Sequence, residues 1–375
     1  MKSNNATLFQ PIKLGSLQLS HRIVLAPLTR IRATATTHVP LLPVKEYYAQ
    51  RSFTPGTLLI TEATTIAQEA SGIDHVPGIE SDAQIEAWKE IASAIHAKRS
   101  FVFMQLRAYG RAANPNFLSS MSPPVPYTAA SGIPLLSRPH EDPTPRPLSI
   151  ADIQRYITLF AEAARRAVHD AGLDGVELHG ANGYLIDQFL QDVTNDREDA
   201  YGQTIENRAR FALEVLEKVV EAVGAERVGI RLSPWSMFQE MGMRDPRPTF
   251  SYLVDTIKAR FPSLAYIHVV EPRVHGNEVV ESDGADESND FIRDIWAGRP
   301  LISAGGYTRS SALKRSAEND NELIAFGRWF IANPDLPHRL ARDLPLTQYD
   351  RSSFYLAGDA TGKGYTDYPF ASNCP

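Results

Sequence analysis

The chain has 375 residues, 43% of them hydrophobic and 22% charged, with a net charge of −6. That is an ordinary globular composition, and its mild acidity gives no electrostatic footprint for nucleic acid. The one cysteine, Cys374, excludes an internal disulfide framework, a cysteine-rich zinc site and an iron–sulfur cluster held by this chain. No apolar stretch approaches the length of a membrane span, and the polar segment Met1–Thr7 lacks the apolar run of a signal peptide. A cytoplasmic protein without a bound metal is the expectation, a monomer or homodimer acting on small molecules rather than on nucleic acid or membrane.

Eight short apolar runs mark the chain: Ile23–Pro27, Thr57–Thr61, Phe101–Gln105, Gly175–His179, Val228–Leu232, Tyr266–Val270, Leu301–Ala304 and Leu323–Phe326. Most are continuous rather than alternating, the pattern of strands buried on both faces. Helix-period segments lie between and after them: Val44–Arg51, Ala83–Ala97, Ile150–Ala171, Ile205–Val223, Thr249–Phe261, Asn289–Trp296, Arg309–Ala317 and Pro337–Arg342. Ser149 with Asp152, and Thr204 ahead of Asn207, are start signals for two of these helices. Eight strand–helix units predict a single (β/α)8 barrel, one α/β domain spanning residues 1–375. An open doubly wound sheet would use the same alternation, but no G-x-G-x-x-G follows the first strand. Residues Arg107–Pro147 hold nine of the 26 prolines and no helical period. A loop of that length after the third strand reads as an insertion over the barrel mouth, a lid or substrate-shaping hairpin.

Active sites of such barrels lie at the C-terminal ends of the strands. The residues closing them here are Thr29, Ala63, Gln105, His179, Arg231, Glu271, Gly305–Gly306 and Gly327–Arg328. Glycine turns after the seventh and eighth strands suit a phosphate, whose oxygens glycine backbone N–H groups approach closely and Arg328 pairs bidentately. They suit a plain turn equally. His179 and Asn182 place two donors on one turn, able to polarise one carbonyl oxygen, and Tyr184 follows with a phenol able to deliver a proton. A strand-capping histidine and a half-buried aromatic are the bland alternative.

These segments carry a resemblance. Leu8–Ile12, His21–Arg22, Ala26–Arg30, Pro55–Glu62, Gln105–Leu106, His179–Phe189, Asn207–Phe211, Arg231–Pro234, Val270–Pro272, Phe326–Arg328, Asn333–Leu336 and Tyr365–Pro369 stand in an order similar to that of the Old Yellow Enzyme family, the FMN-containing ene-reductases. The resemblance implies tightly but non-covalently bound FMN across the barrel mouth, with its phosphate near Gly305, Gly306, Gly327 and Arg328. It also implies contacts to the cofactor from Pro27, from the Thr29 hydroxyl and from the backbone at Ala63. Gln105 resembles the residue that reads the pyrimidine edge, and Arg231 the cation beside the flavin N1/C2=O locus. His179 and Asn182 match the pair that binds a substrate carbonyl or a phenolate, Tyr184 the proton donor, and Tyr355 an aromatic lining the substrate pocket.

The implied activity is a ping-pong reduction of the C=C bond of an enone, enal or related electron-poor alkene. NAD(P)H is the hydride donor, NADPH rather than NADH by the resemblance alone. A specialised secondary-metabolite reductase or isomerase, or a flavin- or phenol-binding protein without turnover, are the alternatives. Three positions depart from the family pattern. Arg107 stands where many relatives carry tryptophan; it would favour anionic substrates or swing to solvent, and the solvent orientation is the expectation. Ala63 and Gln203 replace glycines. Thr29 in place of a cysteine points to the branch found in yeasts, fungi and plants.

Overall fold

The computed structural model describes residues 6–139, 142–276, 278–279 and 286–372; Cys374, His140 and Glu141 lie outside them. Eight parallel strands form its centre: β1 (Ile23–Leu25), β2 (Leu58–Ile60), β3 (Phe101–Arg107), β4 (Gly175–Gly180), β5 (Val228–Leu232), β6 (Tyr266–Val270), β7 (Leu301–Ala304) and β8 (Glu322–Phe326). Neighbours pair in chain order, and β8 pairs with β1 through Ile324 and Ile23, so the sheet closes into a barrel. The predicted (β/α)8 architecture is the one observed.

Burial on both faces explains the continuous apolar runs. Val24, Leu58, Ile60, Phe103, Tyr266, Ile302 and Leu323 fill the barrel interior. Their neighbours Ile23, Leu25, Leu59, Val102 and Met104 face the helices. Two strand glycines are dictated by rings inside. A Cβ on Gly175 would lie 2.5 Å from Phe103 Cζ, and one on Gly229 2.4 Å from Tyr266 Cε2. A hairpin of Ile12–Leu14 and Leu17–Leu19 adds Leu14 and Leu19 to the same interior cluster.

Around the barrel run α1 (Leu42–Arg51), α2 (Asp82–His96), α3 (Pro115–Ser120), α4 (Ile150–Arg165), α5 (Leu185–Leu190), α6 (Ile205–Val223), α7 (Arg247–Arg260), α8 (Asp290–Ile295), α9 (Arg309–Glu318), α10 (Arg328–Ala332) and α11 (Leu336–Arg342). Ser149 and Asp152 form a capping box on α4, and Thr204 accepts from Asn207 N at the start of α6, as their sequence signals predict. The helix expected over Ile150–Ala171 changes to a π turn at Arg166–Asp170. The Arg107–Pro147 segment is less irregular than its prolines suggest. Asn114 caps α3 by accepting from Asn116 N and Phe117 N, and Thr128–Ala129 pair with Arg146–Pro147. Glu240 accepts from Leu136 N and Ser137 N, and Arg111 Nη2 donates to Gln239 O and Glu240 O. These bonds fasten the insertion to the loop after β5. No helix among the described residues is long and apolar enough to cross a membrane.

Buried arginines tie residues 354–366 to the start of the chain. Arg30 Nε donates to Phe354 O at 3.1 Å and its Nη2 to Gly364 O at 2.7 Å. Arg51 donates to Phe330 O, Ile331 O and Tyr365 O, and its guanidinium lies 3.5 Å from the Tyr47 ring centroid. Tyr47 and Tyr365 stack at 4.1 Å.

His21 precedes β1, buried, with Nδ1 accepting from Ile23 N and Nε2 donating to Thr57 Oγ1 at 3.0 Å. Burial lowers its pKa to about 4. The folded form therefore keeps His21 neutral where the unfolded chain protonates it, so its contribution is complete above pH ~6.5 and is lost as pH falls toward 4. Urea titrations should show wild type losing about 2 kcal/mol more than His21→Gln between pH 7 and pH 4.5. Equal losses would assign the acid sensitivity to other groups.

Candidate active site

On β3 to β6 one strand face passes within two residues from apolar or glycine to polar, at Phe103–Gln105, Gly175–Glu177, Gly229–Arg231 and Tyr266–His268. Gln105 on β3 is buried and donates from Nε2 to Glu177 Oε1 on β4 at 2.7 Å. Glu177 Oε2 accepts from His268 Nδ1 on β6 at 2.8 Å. Burial alone would raise the Glu177 carboxyl, but His268, Arg231 and Gln105 together hold it below the usual range. Burial holds His268 down as a neutral donor. Neither Glu177 nor His268 was singled out by sequence. They lie 91 residues apart, and only strand alternation and closure bring them together across the barrel.

Residue 231 sits between two histidines, Arg231 pairing in register with His179 on one side and His268 on the other. Arg231 is half-buried, and its Nε is buried with no partner among the described residues. His179 is held well below its normal pKa by burial, with Arg231, Arg107 and His268 adding to the effect, so its imidazole is neutral. His179 Nδ1 and Asn182 Oδ1 are also buried without a partner. Asn182 adopts the left-handed conformation, φ 56°, which asparagine tolerates better than most residues. Three bonds hold that turn. Ser233 Oγ accepts from Asn182 N at 2.8 Å, Gln239 Nε2 donates to Asn182 O at 2.9 Å, and Asp187 Oδ2 accepts from Gly183 N at 2.9 Å. Tyr184 then precedes α5, its ring 4.7 Å from that of His179 and edge-on to it.

Arg107 corrects one expectation. It does not swing to solvent but is 1% exposed. β3 runs two residues further than expected, so Arg107 belongs to the strand and pairs with Thr65. A strand period of two therefore sends it to the same face as Gln105. Its Nη1 donates to Tyr184 Oη at 3.4 Å and Nη2 to Tyr109 Oη at 2.5 Å.

Other expected positions form the rim. Pro27 is buried and Thr29 half-buried after β1, and Ala63 is buried after β2. Gly305 and Gly306 (φ 138° and 60°) follow β7 and lie beside Gly327 and Arg328, which follow the neighbouring β8. Beside the Gly305–Gly306 turn lies a residue the sequence reading missed. Arg273 Nε donates to Gly305 O at 2.6 Å, its guanidinium covers the Tyr307 ring at 4.5 Å, and Nη2 is buried without a partner. Its position just past β6 was the available signal. Glu271, by contrast, is committed to structure by Arg293 and the Tyr307 hydroxyl. Tyr355 is 49% exposed and reaches the rim through its neighbour Phe354, whose carbonyl Arg30 holds; no contact joins it to His179. A hollow of about 450 Å³ lined by Ser131, Pro147 and residues 196–199 holds none of these groups.

Buried polar atoms without partners, gathered over one end of a closed barrel, call for a polar planar ligand. Residues 7–347 match the sequence profile of the NADH:flavin oxidoreductase / NADH oxidase family. The chain belongs to that family. It is 50% identical, over 97% of its length and 96% of the relative's, to a chanoclavine-I aldehyde reductase of Penicillium roqueforti. An aldehyde reductase of Cladobotryum sp. is 46% identical over 98% and 96% of the two chains. The crystal structure of Old Yellow Enzyme from Pichia sp. superposes with a TM-score of 0.90 at 36% identity, covering 98% of this chain and 94% of that one. This protein is therefore an FMN-dependent oxidoreductase of the Old Yellow Enzyme type, fed by a nicotinamide hydride donor.

Ser233→Ala removes the side-chain acceptor of the Asn182 N–H and should cost about 1–3 kcal/mol in urea unfolding. FMN content should stay at the wild-type ratio while phenol affinity falls. Unchanged phenol affinity would show that the turn holds without it.

Proposed function

We propose that this enzyme reduces the C=C bond of small α,β-unsaturated aldehydes and ketones, with NADPH as the preferred reductant and NADH as the lesser one. One observation carries the reading: a buried His179 whose Nδ1 has no partner among the described residues shares one turn with Asn182, beside the Tyr184 ring. The two aldehyde reductases among its relatives favour an enal of fungal secondary metabolism as the natural substrate. A soluble cytoplasmic enzyme, monomeric or homodimeric, agrees with its acidic charge and lone cysteine.

FMN fits the residues present. Arg231 supports negative charge at the ring's N1/C2=O edge, and Gln105, oriented by Glu177, meets the pyrimidine edge. Pro27, the Thr29 hydroxyl and Ala63 line the side near β1 and β2. Gly305, Gly306, Gly327 and Arg328 receive the phosphate, and Arg273 adds a second cation there. Bound, the flavin supplies a two-electron carrier between nicotinamide and alkene.

The chain's own residues do the rest. A neutral His179 and the Asn182 amide donate to the substrate's carbonyl oxygen. As Cβ accepts hydride, charge builds on that oxygen, and donors fixed in a buried site stabilise it without reorganising. Because burial keeps His179 neutral, it polarises the oxygen as a hydrogen-bond donor and does not protonate it. Tyr184 supplies the proton to Cα, and Tyr355 walls the substrate at the rim. A phenolate satisfies the same two donors.

Purified protein should show flavin bands, and p-hydroxybenzaldehyde should add a long-wavelength charge-transfer band. A spectrum with no flavin after reconstitution would overturn the cofactor assignment. Flavin without the new band would remove the donor pair from the mechanism. Tyr184→Phe should slow reoxidation by 2-cyclohexenone by about 10²-fold or more while flavin reduction by NADPH is kept; equal loss in both half-reactions would count against a proton-donor role. Arg273→Met should leave a purified protein with less FMN per chain than wild type, and an undiminished ratio would return Arg273 to a structural part.

A further inference from the structure

Arg107 is a buried cation whose hydrogen-bond partners, among the described residues, are two phenols. Its guanidinium lies 4.1 Å from the Tyr109 ring centroid and 4.9 Å from that of Tyr184, and Nε has no partner. A buried arginine is ordinarily neutralised by a carboxylate, since leaving a charge unpaired away from water is costly. Here the oxygens that meet it are Tyr184 Oη and Tyr109 Oη. Tyr109 meets Tyr184 edge-on at 5.5 Å.

We infer that Arg107 is a positioning residue for Tyr184, turning the phenol hydrogen toward the substrate's Cα and holding the phenolate after the proton has left. This rests on the reading of Tyr184 as proton donor. Guanidinium donates and never accepts, so the Tyr184 oxygen accepts from Nη1 and its own hydrogen must point elsewhere. The Tyr109 and His179 rings flank it, which leaves the mouth.

The step balances. Hydride forms the C–H bond at Cβ as the C=C π bond breaks, the displaced pair resting on the carbonyl oxygen as an enolate. That pair then forms the C–H bond at Cα as the Tyr184 O–H bond breaks. The phenolate oxygen keeps its pair beside the guanidinium and regains a proton from water. Charged and titratable groups around Tyr184 are Arg107 from β3, neutral His179 from β4, Arg231 from β5, and Tyr109; Glu62 acts on Arg107 from further away. The Arg107 guanidinium is the charge that hydrogen-bonds the phenol oxygen. Arg107 thus takes the place of a family tryptophan with an electrostatic part that tryptophan lacks.

The test is reoxidation of the reduced holoenzyme by 2-cyclohexenone, followed by rapid mixing for wild type, Arg107→Met, Arg107→Lys, Tyr184→Phe and the Arg107→Met/Tyr184→Phe double variant. Arg107→Met should lower the limiting rate about tenfold or more, with the enone dissociation constant within about threefold. Lysine should restore part of the rate, because it returns the charge without the fork. In the Tyr184→Phe background the methionine should cost less than about twofold, since coupled residues do not add. An equal loss in both backgrounds, or no rescue by lysine, would overturn the inference. So would failure of both Arg107 variants to form the p-hydroxybenzaldehyde band, because Arg107 would then build the pocket itself. If Tyr184→Phe alone reacts as fast as wild type, the proton-donor reading has failed, a result recognisable without any Arg107 variant.

Discussion

A single transition along the barrel axis governs this molecule. Below it, Leu58, Ile60, Phe103 and Tyr266 fill the interior as in any protein core. Above it β3 to β6 carry Gln105, Glu177, His179 and His268, all buried, and Arg231, half-buried. An apolar floor makes every charge in the layer above it expensive to leave unmatched. Part of the matching is internal, through the Gln105–Glu177–His268 chain. Among the described residues Arg231 Nε, His179 Nδ1 and Asn182 Oδ1 are left without partners.

The sign of the open part follows from which groups are matched. Glu177 is already engaged by two donors, while Arg231 and Arg107 remain cationic and His179 is neutral. Such a surface accepts electron-rich oxygens and planar anions and repels ammonium groups. An aldehyde oxygen gaining charge is stabilised more than one at rest, which is the differential binding that lowers a barrier.

Much of this was legible in the sequence, and the exceptions have physical causes. Strands buried on both faces announce themselves as apolar runs, so all eight were found with their order. The long helices were equally plain; α3, α5 and α10, of five or six residues, were not, although the equally short α8 was. His179, Asn182 and Tyr184 were found because one turn carries them. Glu177, His268 and Arg273 escaped because their partners come from distant strands. Arg107 was recognised as unusual yet misdirected, since its orientation depends on β3 continuing two residues past Gln105. Alternation from Gln105 would have corrected it.

The clasp of Arg30 and Arg51 on residues 354–366 has a consequence for how the protein comes into being. Before those late residues exist, Arg30 lacks both carbonyls that receive its guanidinium and Arg51 lacks one of its own, that of Tyr365. The loop closure that brings them together spans most of the chain, and such contacts form slowly. A nascent barrel thus has its eight strands before the segment that Arg30 and Arg51 clasp, and that clasp is among the last contacts synthesis makes possible.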